Sequence, residues 1–197
     1  SCRLTINKFS GGRQFISGNR CERGIGGQKN ANNVPNLYEY KLKRLFSYEP
    51  LEADQAPRGT VGIPRVLNMY ENYPFWHTFF TRLGFTVRVS PVSDRALYQK
   101  GQATIPSDTA CFPAKLSHGH IAALCDMGVD AIFYPCMSYN VDENLGDNHY
   151  NCPVVAYYPE VLEGNCPELK GTKFIYDYIN LSRRKDFTRR FPAILEQ

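Results

Sequence analysis

Apolar and polar residues alternate over Leu4–Phe9 and again over Arg13–Ser17, on either side of Ser10-Gly11-Gly12. Period-two alternation of β-branched and aromatic residues about a Gly-Gly turn predicts a β-hairpin. Pairing about that turn sets Cys2 opposite Cys21, within reach of one metal ion. The Gly- and Asn-rich stretch through Asn36 predicts a loop. Leu37–Tyr48, with Lys41, Lys43 and Arg44 on its polar side, predicts a short amphipathic helix. Glu49–Gly59, with Pro50 and Pro57, reads as a linker, and it sets a boundary between an N-terminal piece, residues 1–59, and a second domain, residues 60–197.

Beyond Thr60 the pattern changes to strands alternating with helices. Predicted strands are Val61–Met69 (interrupted by Pro64), Phe85–Val92, Val129–Tyr134, Val154–Tyr158 and Lys173–Ile179. Predicted helices are Pro74–Leu83, closed by Gly84; a short one capped by Asp94 and running to Lys100; Pro113–Met127, closed by Gly128; and Asp186–Glu196. Such alternation gives an α/β fold with a Rossmann-like or flavodoxin-like parallel sheet, here carrying an N-terminal hairpin and helix as an appendage.

Composition narrows the classes. With 43% hydrophobic and 21% charged residues the chain can build a core. No apolar run approaches the ~18 residues of a membrane span. No signal peptide opens the chain, which points to the cytoplasm, and a start without Met reads as a piece of something longer. The net charge of +4 conceals basic ends flanking an acidic middle between Glu49 and Leu169. A nucleic-acid binder would gather its basic residues on one face. Basic ends suit docking on a protein neighbour or a solvated surface, and nucleic acid is not an expected partner. No GxGxxG, Walker A or nucleophile-elbow pattern occurs, so the chain shows no nucleotide site and no complete active site of its own.

Seven cysteines, at 2, 21, 111, 125, 136, 152 and 166, make an odd count without a CxxC pair. That favours metal or thiol chemistry over a disulfide framework. Ligands of open α/β sheets sit beyond the carboxyl ends of the strands, where Cys136 follows a predicted strand. Cys111 stands at a predicted helix N-terminus, where the dipole favours a thiolate. Lys115 and His118, four and seven residues on, share its helix face, and His120 points elsewhere. Cys152 precedes a predicted strand, so it reaches Cys136 only if residues 137–151 fold back over the rim. Cys125 reads as core. Cys166 has no evident partner, and His77 reads as structural. Asp147 and His149 form an alternative acid–base pair.

With those residues placed, the chain resembles a known family. Gly18-Asn-Arg-Cys-Glu-Arg-Gly24, Ile105-Pro-Ser-Asp-Thr-Ala-Cys-Phe-Pro-Ala-Lys-Leu-Ser-His-Gly-His120, Phe133-Tyr-Pro-Cys136 and Asp147-Asn-His-Tyr-Asn-Cys-Pro-Val154 carry the likeness. They are similar to the domain that follows the activase modules in large fused 2-hydroxyglutaryl-CoA dehydratase activators, itself distantly similar to 2-hydroxyacyl-CoA dehydratase subunits. The resemblance implies an anaerobic cytoplasmic setting in which an ATP-hydrolysing activase passes low-potential electrons to clusters held by cysteines. It implies Cys111, Cys136 and Cys152 as ligands of an iron–sulfur cluster, with 4Fe–4S the candidate type. Lys115 and His118 would tune that cluster, and Cys2 and Cys21 would belong to a separate small site. Implied partners are the activase ATPase modules and the dehydratase-like region. The alternative expectation is a non-catalytic docking module, holding structural zinc or no metal. It would use the basic Leu37–Tyr48 helix and the Arg183–Arg190 segment to position the activase on its partner.

Overall fold

The computed structural model describes residues 3–20 and 34–196. The chain divides into two units, residues 1–40 and 41–197. In the first, strands β1 (Thr5–Lys8) and β2 (Gln14–Ser17) form the expected antiparallel hairpin. Gly11 and Gly12 both take positive φ, at 78° and 75°, which only glycine adopts without cost. The resulting three-residue connection sets Thr5 opposite Ser17, one residue off the expected register. Cys2 and Cys21 lie outside the described residues. Helix α1 (Leu37–Leu45) begins where the Asn36 Oδ1 accepts from the Tyr38 and Glu39 amides, at 3.1 and 3.2 Å. It stops short of Tyr48.

In the second unit, the segment leading to the sheet is fixed along its surface. Phe46 packs on Tyr73 with ring centroids 4.8 Å apart, and the Thr86 hydroxyl donates to the Leu51 carbonyl at 2.9 Å. Strand β3 (Thr60–Ile63) ends at Pro64, which has no N–H to extend the ladder. Helix α2 (Met69–Arg82) starts five residues before the expected Pro74. Proline favours a first turn, but here the apolar face decides. Buried Met69, Tyr73, Trp76, His77 and Phe80 line one side at helical spacing, and Pro74 is carried inside the helix.

Strand β4 (Thr86–Val89) is followed by α3 (Arg95–Gly101), capped as expected by Asp94, whose carboxylate accepts from the Leu97 amide at 2.7 Å. Helix α4 (Phe112–Asp126) leads to β5 (Ala131–Phe133). The run expected as a strand, Val154–Tyr158, is instead the start of helix α5 (Pro153–Asn165). Its two valines suggested a strand. The helix prevails because buried positions recur at Ala156, Pro159 and Leu162, and Pro153 occupies a first-turn position after Cys152. Strand β6 (Lys173–Ile175) and helix α6 (Arg184–Leu195) complete the unit.

The four strands form one parallel sheet in the order β4-β3-β5-β6, so the Rossmann-like expectation holds with four strands rather than five. Gly62 pairs with Ile132, and a Cβ on Gly62 would meet Leu124 at 3.1 Å, so α4 covers that face of the sheet. Phe133 points to the other face, against Trp76 at 4.5 Å and Phe80 at 4.9 Å, with Phe191 of α6 stacked on Trp76 at 5.7 Å. Helices α3 and α4 cross where Gly101 meets Gly119.

Candidate functional site

The chain reverses its winding direction between β3 and β5, since β4 lies on one side of β3 and β5 on the other. The crevice beyond the carboxyl ends of these two strands is where open α/β sheets hold ligands. Three cysteines arrive at this rim by three routes. Cys136 follows β5 directly, and its backbone is fastened by Ile179 N–H donating to its carbonyl at 3.0 Å. Cys111 is the N-cap residue of α4, and Cys152 is the N-cap residue of α5. Because helices between parallel strands start at the carboxyl edge, reading α5 as a helix removes the obstacle that a strand would have posed for Cys152.

Residues 137–151 do fold back. The Asn140 amide donates to the His149 carbonyl at 2.8 Å, the Asn151 amide to the Ser138 carbonyl at 3.0 Å, and Tyr139 bridges Tyr150 in antiparallel sense. Continuing that register sets Cys152 opposite Met137, next to Cys136. His149 pairs with Asp142 at 3.2 Å rather than with Asp147, so the loop's own residues order it.

Between β5 and Cys136 lies Tyr134, whose amide donates to the Ile175 carbonyl at 3.0 Å. It is fully buried, and its hydroxyl has no hydrogen-bond partner. Burial raises its phenol far above the ordinary range. Cys136, Tyr158, Cys152 and Cys111 push it the same way. Cys111 and Cys152 are exposed and Cys136 is buried. Burial, with Glu160 and Asp177 nearby, pushes the Cys136 thiol up to about 12.

Lys115 donates from Nζ to the Asp108 carbonyl at 2.8 Å, holding the loop that delivers Cys111. His118 is fully buried and held down to about 4 by burial. Its Nδ1 meets the Thr104 hydroxyl at 2.8 Å, and its Nε2 meets the Tyr158 hydroxyl at 3.0 Å. His120 points the other way, as expected. Its two ring nitrogens meet Ser90 at 2.7 Å and Ser93 at 2.9 Å. Ser90 also accepts from the Arg65 amide at 2.8 Å, tying the turns after β3 and β4 to α4. Cys125 is partly buried, and Cys166 is buried 3.5 Å from His118 Nδ1. Among the described residues, no three His, Cys, Asp or Glu side chains gather as a group able to hold a metal ion.

Residues 60–197 match the family model described as the CoA enzyme activase uncharacterised domain. The chain belongs to this family. No curated protein and no solved structure matches it. The match begins at the first residue of β3 and covers the whole sheet and all three rim cysteines. The run Ile105–His120 supplies both the α4 N-terminus and the two buried histidines. Among the described residues, no helix is long and apolar enough to cross a membrane.

Proposed function

We propose that this activase-family chain is an iron–sulfur-binding electron-transfer domain of an activase/2-hydroxyacyl-CoA dehydratase-type protein, with Cys111, Cys136 and Cys152 as ligands. The observation that carries this reading is the placement of Cys136 just beyond β5 and of Cys111 and Cys152 as the N-cap residues of α4 and α5, positions that belong to the carboxyl edge of one parallel sheet. Thiol donors are the ligands of sulfur-rich clusters. A cluster is several ångströms across, so its ligands stand wider apart than those around a single metal. Such a group supplies one-electron chemistry at low potential, and three protein ligands leave one iron position for a substrate or a neighbouring chain. The protein's own part is electrostatic. The Cys136 thiol, pushed up to about 12, is a proton holder that must give up its proton when it ligates. Implied partners are the ATP-hydrolysing activase modules and a dehydratase-like region.

The test is iron and sulfide per chain after anaerobic reconstitution, read with the visible spectrum. Cys111→Ser, Cys136→Ser and Cys152→Ser should each lower bound iron sharply, while Cys125→Ser leaves it unchanged. Equal iron in all four variants refutes the assignment. A second reading, a docking module that places the activase on its partner, draws support from the first unit. There, Ile6, Phe9 and Phe15 of the hairpin are exposed, and a two-stranded hairpin is only marginally stable by itself. Zinc alone, or a folded protein that takes up no metal, would put that reading ahead.

A further inference from the structure

Charge is unevenly placed along the chain, and the fold brings two of its extremes to one edge of the sheet. Residues 116–169 contain no Lys or Arg, whereas Arg183, Arg184 and Lys185 follow one another directly and are exposed. The acidic extreme is residues 141–147, beyond the carboxyl end of β5, with Asp142, Glu143 and Asp147 all exposed. The basic extreme is the start of α6, the helix that follows β6. Both connections leave parallel strands, so both begin at the carboxyl edge.

On that edge the two areas stand side by side. Glu71, in the first turn of α2, lines one cavity with Glu143 and Leu145, so the acidic segment lies over the start of α2. Helix α6 packs beside the same helix, Phe187 meeting Phe75 at 6.0 Å and Phe79 at 6.1 Å. Local ion pairs form within each area, Asp142 with His149 at 3.2 Å and Asp186 with Arg189 at 3.0 Å. Apolar side chains accompany the charges. Leu145 is 87% exposed in the acidic area, and Tyr178, 39% exposed, shares a cavity wall with Asp186 and Arg190 of α6. The Tyr157 ring, 48% exposed, lies 6.2 Å from that of Tyr178. Exposed aromatic and leucine side chains among charges of both signs have the composition of a protein interface.

We propose that this edge binds a second copy of the chain about a two-fold axis, residues 141–147 of each copy lying against Arg183, Arg184 and Lys185 of the other. A two-fold contact requires one patch that is its own complement. A negative area beside a positive one meets that requirement, because half a turn about an axis between them sets each on its opposite. Exposed Cys111 and Cys152 belong to the same edge, so such a dimer brings the candidate sites of two copies together. The contact does not depend on what those thiols hold.

The experiment is sedimentation velocity on the reduced full chain over a range of concentrations, at about 0.05 M and about 0.5 M salt, where screening lengths differ about threefold. Wild type should dimerise, with a dissociation constant at least about tenfold higher at the higher salt. Two double variants reverse one area each: Glu143→Lys with Asp147→Lys, and Arg183→Glu with Arg184→Glu. The first pair is exposed, and carboxylates at a helix start suit the second, so both variants should keep the wild-type circular dichroism. Each alone carries one sign across the edge and should be monomeric. Mixed in equal amounts they should form a mixed dimer, since each reversed area then meets its opposite. A wild type that stays monomeric at low salt overturns the proposal and leaves the edge to a different protein. A dimer unmoved by salt and by both reversals places the contact elsewhere, and monomeric variants that fail to pair when mixed refute the two-fold arrangement.

Discussion

Replacing Gly119 by alanine tests the packing on which the rim depends. Gly119 lies inside α4 between His118 and His120, where α3 crosses at backbone distance. A Cβ there would sit 2.8 Å from the Leu97 carbonyl carbon and closer still to its oxygen. Ordinary contact needs about 3.5 Å, so α3 must withdraw by about 1 Å or more. The obstacle is backbone, which has no rotamer to escape into. The cost therefore falls at the upper end of overpacking, about 3 kcal/mol. Alanine recovers about 1 kcal/mol of helix propensity. The net loss is about 2 kcal/mol, which lowers Tm by about 4–8 °C for a chain of this size. Gly164→Ala in α5 is the control. Nothing lies within 4 Å of its Cβ position, so the same chemical change should be neutral or stabilising by up to about 1 kcal/mol. The assay is thermal unfolding followed by circular dichroism. A Gly119→Ala protein as stable as wild type would refute the reasoning, because α3 would then have room to yield.

Two further outcomes follow from the buried groups. His118 and His120 are both held down to about 4 by burial, with Arg65 adding to the effect at His120, whereas the unfolded chain titrates near 6.5. Above 6.5 neither state takes a proton. As pH falls from there toward 4 the unfolded chain is protonated first, so stability drops by on the order of 2 kcal/mol per histidine by about pH 5. Urea unfolding at about pH 7 and pH 5 should show this loss, smaller in His118→Asn and His120→Asn, and a flat profile in wild type would count against it. Phe191→Ala removes the ring stacked on Trp76, the chain's single tryptophan, and should cost about 3–5 kcal/mol. Its fluorescence should shift to the red as α6 loosens; unchanged emission and stability would show that α6 does not complete this core.

Local signals were strong where one chemical feature acts within a few residues. Asp94 before an apolar turn, Gly-Gly between alternating runs, and Pro113 after Cys111 each set a cap, a turn or a helix start, and the structure places them so. The parallel α/β class was legible for the same reason, since strand-to-helix alternation is a local property. Val154–Tyr158 was not, because two valines followed by Ala-Tyr-Tyr suit either period. Only the burial of Ala156, Pro159 and Leu162 against neighbouring elements selects the helix. That choice moves Cys152 to the carboxyl edge of the sheet. By sequence alone, Cys111 and Cys136 could be assigned to the rim from their positions at a helix start and a strand end. Tyr134 could not, because an unpartnered hydroxyl is defined by what three distant segments fail to offer it. Capping and periodicity act along the chain, whereas burial and the surroundings of a buried atom are fixed only when segments far apart in sequence close around it.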